Sequence, residues 1–476
     1  MKRQPTVWSV IIAGAIALLA STLRAPAQSA DAIIDKLVEK GILTQAEARA
    51  LREEADVDFT HAHQVKTGMP DWVNALKING DFRGRFEGFY ADNPNFSERN
   101  RFRYRARLGF TVAFTNSLEA GLRLGSGDLD NAADLRSGSD PISNNQTFQN
   151  NAAKHGVFID LAYGKWAPLL GDLGAAAFTI GKMENPFVFS DMVFDRDYTP
   201  EGAAAQFNFL LNHSSVTPQQ LKVNLGGFVL DEISGSSDDP FMLGAQVRWD
   251  ATWMRQESGA QFLTSIGVAG MTIENEEGLG ATASQSLAPG GSGYVTNTVY
   301  TFTVPNINSG NSRTPTGSLV HEFNPVVVDA SATYIHPRVR YYSGPFPIRL
   351  EGEYLNNPGA AQDNQGYWVG IQFGKSGKAG TWDVAYRWKH LESDAWYEEM
   401  VDSDYGAYYQ TAKTGSGIRG YGAGTNVRGH IIRANYTPWN PLTIGLTAFL
   451  TELIDVPPPN VDSSMTRIQV DMIWKF

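Results

Sequence analysis

The chain has 476 residues, 42% of them hydrophobic and 11% aromatic, with 47 glycines, no cysteine and a formal net charge of −11 at pH 7. The absence of cysteine excludes disulfide staples, thiolate metal sites and thiol chemistry, and the acidic balance argues against nucleic acid, whose phosphates need a basic surface. A mean hydropathy of −0.26 excludes a bundle of transmembrane helices.

The sole long apolar run, Val7–Ala20, follows Lys2 and Arg3 and precedes Ala25-Pro26-Ala27. These are the charged, apolar and small-residue regions of a secretory signal peptide, so residues 1–27 are expected to be cleaved near Ala27/Gln28. From Asp31 to Ala55 the chain reads as two short helices broken at Gly41: Ile33, Ile34, Leu37 and Val38 form one apolar stripe, and Thr44-Gln45-Ala46-Glu47 is a capping box. Residues 28–60 are therefore expected to form a periplasmic helical hairpin. It is too small to bury much surface alone and should pack on sister subunits, the periplasmic mouth or peptidoglycan, with self-association ranked first. His61 and His63 fall in a linker, 61–75, that offers no further ligands; no metal and no cofactor are expected.

From Leu76 onward the sequence alternates. Leu76, Ile78, Gly80, Phe82, Gly84 and Phe86 share one side, and Lys77, Asn79, Asp81, Arg83, Arg85 and Glu87 the other. The next segment repeats the pattern: Phe102, Tyr104, Ala106, Leu108, Phe110, Val112 and Phe114 oppose Arg101, Arg103, Arg105 and Arg107. Period two means strand. With turn residues as breaks, strands are expected near 76–90, 100–115, 118–125, 156–166, 174–183, 202–210, 220–231, 241–253, 259–273 and 326–342. Six more follow, near 347–355, 365–374, 380–391, 428–438, 441–452 and 465–476.

Sixteen strands are an even number, as closure of a bacterial single-chain barrel requires, and the connections alternate between short turns and long loops as in an outer-membrane barrel. The longest, 126–155 and 274–325, have the Gly, Ser, Asn and Thr content of external loops. The expected fold is an all-β, antiparallel, up-and-down transmembrane β-barrel over residues 76–476, with lipid on the apolar side of each strand and water inside. Tyr163, Trp249, Tyr354, Trp382, Trp388 and Trp439, near segment ends, suit the aromatic girdles at the lipid boundaries.

A water-filled lumen can hold like charges that a dry sheet would not. Arg83, Arg85, Arg101, Arg103, Arg105, Arg107 and Arg123 are accordingly read as a basic inner wall, with Arg83 placed opposite Arg107, Arg85 opposite Arg105 and Glu87 opposite Arg103. The third external loop, about 184–201, carries the acids Glu184, Asp191, Asp195, Asp197 and Glu201 beside Lys182 and Arg196, together with Phe187, Val188, Phe189, Val193 and Phe194. Apolar side chains of this kind are better buried than exposed, so the loop is expected to fold inward and set its acids across from the arginines, creating a transverse field.

The amphipathic last strand ending on Phe476 resembles the signal by which bacterial outer-membrane proteins are recognised for assembly, and the runs GKMENPF and DMVFDRDYTPEGAAAQF, the hairpin LVEKGILTQAEA and the strand INGDFRGRFE resemble the putative porin family of Gram-negative outer membranes. The resemblance implies an outer-membrane barrel and channel, and sixteen-stranded porins are often homotrimers. The leading expectation is thus passive diffusion of small hydrophilic solutes or ions, with some preference for anions. Two alternatives are a barrel that sheathes a partner protein and an outer-membrane enzyme. For the enzyme, the scattered Ser143, His155 and Asp160 are the residues available, but no nucleophile elbow, metal spacing or Ser/His/Asp constellation accompanies them, so the chain is read as no enzyme. The partners expected are membrane lipid, small solutes and sister subunits, without nucleic acid.

Overall fold

The computed structural model describes residue 70 and residues 72–93, 95–127, 142–149, 151–152, 154–212, 214, 216–233, 237–279, 284–285, 300–301, 308–315, 317–410, 420–456 and 462–476. The chain divides into two compact units, Met1–Ala75 and Leu76–Phe476. The expected signal peptide, hairpin and first part of the linker fall on residues outside those described.

Sixteen long strands form one closed antiparallel barrel. In chain order they are β1 Val73–Ala91, β2 Arg99–Phe114, β3 Leu118–Gly125, β4 Phe158–Trp166, β5 Gly174–Lys182, β6 Glu201–Leu210, β7 Gln219–Val229 and β8 Phe241–Arg255. The second half continues with β9 Gln261–Glu274, β10 Val326–His336, β11 Phe346–Asn356, β12 Gln365–Gly374, β13 Thr381–Leu391, β14 Val427–Trp439, β15 Leu442–Leu453 and β16 Met465–Lys475. Each strand pairs with its neighbour in sequence, and β16 closes on β1 with Arg85 beside Asp471 and Glu87 beside Gln469. Closure leaves no strand edge unpaired, which a structure surrounded by lipid requires.

The two faces sort as the alternation demands. Phe82, Phe102, Leu108, Val369, Leu446 and Met472 are exposed on the outside, whereas Arg83, Arg85, Glu87, Arg103, Arg105 and Arg467 are buried inside. Trp439, Tyr354 and Tyr436 are among the exposed aromatics.

Three local expectations need correction. β10 stops at His336 rather than running to 342, because Pro337 lacks the N–H that would continue the ladder. In β4 the register shifts where Arg123 faces Leu161 and Leu124 faces Ile159, with Asp160 between them. The extra residue reverses the alternation, so Tyr163 is not a girdle residue: its hydroxyl donates to Glu119 Oε1 at 2.8 Å, and its ring packs on the buried apolar cluster. Finally, β1 and β2 are displaced from the expected apposition of arginines. Arg107 Nε donates to Asp81 Oδ1 at 2.6 Å, and Arg101 donates to Glu87. The displacement gives the arginine run an acid at each end, where the expected register set like charges against each other.

Candidate functional site: a charged constriction

The loop 183–200 between β5 and β6 folds into the barrel and crosses it. It begins on a seat of glycine in the wall: Gly226 and Gly244 pair across β7 and β8, and a Cβ on Gly244 would lie 2.6 Å from Phe187 Cζ. Their lack of side chains lets the Phe187 ring dock, with Phe228 edge-on beside it. Gln246 on β8 holds the loop backbone from both sides, accepting from Val188 N at 3.0 Å and donating to Val188 O at 2.8 Å. On β11, Glu353 accepts from Ser190 N and Oγ. Further along, Asp191 receives Arg387 Nη1 at 3.2 Å and lies 3.5 Å from Lys389 Nζ, both on β13. The loop then reaches β2, where Asp197 Oδ1 receives Arg105 Nη1 at 3.1 Å and Arg107 Nη1 at 3.5 Å. Acids on the loop therefore meet arginines on two walls.

The basic wall is heavily compensated. Arg105 Nη2 donates to Asp81 at 2.6 Å, and Arg85 Nε to Asp471 at 2.7 Å. Arg123 pairs with Asp160 and Glu184. Glu87, fully buried, lies against Arg85, Arg101, Arg103 and Arg467. Asp81, Asp471 and Arg467 are charges of the site that reading the sequence did not single out. Each lies on the inner side of a strand already recognised, but its role depends on a partner chosen by register.

A second inward loop was also missed. The connection 392–427, counted from sequence among the long external ones, places Trp396, Met400, Tyr405 and Tyr409 in full burial over its described residues, 392–410 and 420–427. Trp396 Nε1 donates to Val193 O at 2.9 Å, Asp195 N to Met400 O at 2.6 Å and Asp402 N to Asp191 O at 3.1 Å, tying the two loops together. Asp404 receives Arg85 Nη1 at 2.9 Å and Arg467 Nη2 at 2.7 Å. The segment 308–315 backs this loop: Arg313 and Glu398, both buried, pair at 2.7 Å, and Asn311 Nδ2 donates to Trp396 O at 2.8 Å. The apolar composition that singled out the loop at 183–200 is equally present in AWYEEMV and DYGAYY, and was the available signal.

These elements enclose a cavity of about 400 Å³. Its charged lining comprises Arg83, Arg85, Arg105, Arg107, Arg196, Arg387 and Arg433 with Asp191, Asp195, Asp197, Asp402, Asp404 and Asp471. Of the expected site residues, Arg101, Arg103, Arg123, Lys182, Glu184 and Glu201 lie outside this lining; Lys182 and Glu201 pair with each other at 3.0 Å where β5 and β6 end. Against the burial that would raise it, Arg467 and Arg85 hold the Asp404 carboxyl well below the usual carboxylate range. Asp402 behaves oppositely. Removal from water, then the Asp404 and Asp191 charges, push its carboxyl up to about 7, against Lys389 and the Asp404 N–H.

Ser143, His155 and Asp160 are not brought together: Ser143 Oγ accepts from Asn145, Asp160 pairs with Arg123, and the His155 ring lies against Tyr104. Among the described residues no group of three or more His, Asp or Glu side chains could hold a metal ion.

The family described as putative porin, which the sequence resembles, matches residues 92–262. Among solved structures, Pseudomonas putida OprB at high pH is similar over 88% of this chain and 96% of its own, at 10% identity and a TM-score of 0.46. Salmonella typhi OmpF in complex with daunomycin is similar over 84% and 97%, at 9% identity and 0.41. The outer-membrane channel DcaP of Acinetobacter baumannii is similar over 86% and 99%, at 11% identity and 0.38. No curated protein matches the chain. The family match and the closed barrel support an outer-membrane channel over an enzyme.

Proposed function

We propose that the chain is a passive, water-filled diffusion channel for small hydrophilic solutes and ions, with a modest preference for anions set at the constriction. The observation that carries this reading is Asp197, held by Arg105 and Arg107 from a loop that is anchored on the opposite wall. Seven arginines against six aspartates leave a small positive excess around the cavity, and low-dielectric walls focus the field of such a lining. A cavity of about 400 Å³ with a charged lining suits small hydrophilic solutes. Export by residues 1–27, assembly into trimers, and contact of Asp31–Ala55 with sister subunits or peptidoglycan belong to the same proposal and rest on the sequence.

Zero-current potentials across a salt gradient test the charge assignment. Asp197→Asn leaves Arg105 and Arg107 without the loop carboxylate, so the ratio of anion to cation permeability should rise severalfold; an unchanged ratio would remove Asp197 from the filter. Asp402 gives a second expectation. Its carboxyl is neutral below and charged above about pH 7, so the lining gains a negative charge as pH rises through that value. Anion preference should therefore be greater at about pH 5.5 than at about pH 8.5, and Asp402→Asn should flatten that change. A variant that keeps the full pH response would contradict the assignment.

A further inference from the structure

The connections from β10 to β11 and from β12 to β13 read PRVRYYSGP (337–345) and KSGKAG (375–380), with Arg338, Arg340, Lys375 and Lys378 but no acid. Both are short connections, which in an outer-membrane barrel face the periplasm. The two turns lock together: the Tyr342 hydroxyl donates to Lys375 O at 2.9 Å and accepts from Lys375 N at 3.1 Å, and Ser343 N donates to Gly380 O at 3.1 Å. The first turn leans on the lipid side of the barrel. There the Tyr342 ring packs edge-on against Phe346 and Trp382, which share their strand faces with the exposed Leu350 and Val384. Trp382 Nε1 donates to Tyr341 O at 3.0 Å, and Tyr341, at a left-handed φ of 62°, is 78% exposed with the Arg340 guanidinium 4.6 Å from its ring centre. All four basic residues are exposed, and none forms an ion pair among the described residues. Asp383, the acid that the second turn touches through Ser376 N, is buried and pairs with Arg433 inside the barrel.

We propose that these two turns form a docking surface for the headgroup of an anionic phospholipid in the periplasmic leaflet. The proposal rests on the outer-membrane barrel and is independent of conduction. In a chain of net charge −11, four uncompensated cations on one sector of the rim make a local positive field that attracts anionic lipid over about a Debye length. Their depth is set by the aromatic group. Rings such as Tyr342, Phe346 and Trp382 settle where acyl chains meet headgroups, so the cations beside them stand at the level of the lipid phosphates. A guanidinium fork matches two phosphate oxygens and the lysines add point charges, while the amphipathic ring of Tyr341 suits the same boundary. Acidic cell-wall material would be met by a turn that projects away from the bilayer, whereas this one folds against the lipid side.

The test uses the full-length protein in micelles of a neutral detergent, titrated with phosphatidylglycerol and, separately, with phosphatidylcholine of the same acyl chains, bound lipid being counted by native mass spectrometry. Phosphatidylglycerol should bind about tenfold or more tightly than phosphatidylcholine at low salt, and the advantage should shrink as salt is raised. Arg338→Gln combined with Arg340→Gln should weaken phosphatidylglycerol about tenfold or more and leave phosphatidylcholine unchanged. Lys375→Gln with Lys378→Gln, on the other turn, should act in the same direction and serves if the arginine variant does not fold. Arg428→Gln, at the other end of the barrel, should change neither lipid. Equal binding of the two lipids, an equal loss in Arg428→Gln, or full affinity in both double variants overturns the proposal. Soluble glycerol phosphate that competes as well as the lipid would assign the cluster to free phosphate esters and overturn it too.

Discussion

Glu87→Gln is expected to destabilise the folded barrel by about 3–5 kcal/mol, because it removes the only charge of a buried carboxylate on which several guanidiniums converge. Glu87 is fully buried on β1. It receives Arg467 Nη2 at 2.7 Å, Gln469 Nε2 at 3.1 Å and Arg85 Nη1 at 3.4 Å, together with Arg101, and Arg103 Nη1 lies 4.0 Å away. These groups belong to β1, β2 and β16, the seam where the last strand closes on the first. Glutamine keeps the volume and an acceptor oxygen but removes the charge on which four arginines converge, so that Arg85 and Arg467 must rely on Asp471 and Asp404 alone, and Arg467 is too deeply buried for water to make up the loss. Urea unfolding of the lipid-reconstituted protein should show a large drop in midpoint. The exposed pair Arg428–Glu452 provides the contrast: Glu452→Gln should cost about 1 kcal/mol or less, as surface pairs do. Equal midpoints for Glu87→Gln and the unaltered protein would contradict this account of the seam.

The barrel was legible because lipid outside and water inside impose period two on every strand. Observed and expected strand boundaries therefore differ by only a few residues, except where Pro337 ends β10 early. Register was less legible. Sliding β1 on β2 changes no side chain's face if it moves by an even number of residues, so alternation could not distinguish an Arg83–Arg107 apposition from the observed Asp81–Arg107 contact. A bulge at Asp160 is likewise invisible to periodicity, and it carries Tyr163 from the lipid side to the lumen.

The inward fold of the loop at 183–200 could be read from its own aromatic residues. Its seat could not, since Gly226 and Gly244 matter only once Phe187 is placed over them. The loop at 392–426 was harder still, because its anchors are distant in sequence: Asp404 meets Arg85 across 319 positions, and Trp396 meets Val193 across 203.

On the proposed channel reading, the second inward loop sets how wide the water path can be. Ser393 O accepts from Thr425 Oγ1 at 2.7 Å, and Leu391 pairs with Val427 as β13 and β14 begin to run together. The ends of the loop are thus adjacent, and a short glycine link can span residues 395–423, with Arg313→Leu made in the same chain because Arg313 loses Glu398. The deletion removes the apolar bulk of Trp396, Tyr405 and Tyr409 and the charges of Asp402 and Asp404. It also frees the loop at 183–200 from the Asp195–Met400 and Val193–Trp396 contacts.

Single-channel recording from purified protein in planar bilayers, before and after this deletion, addresses the central claim directly. The intact chain should give uniform, stable current steps, and the shortened chain steps several times larger. Folded, inserted protein that gives no steps, or steps of the same size in both chains, would contradict a channel narrowed by its inward loops.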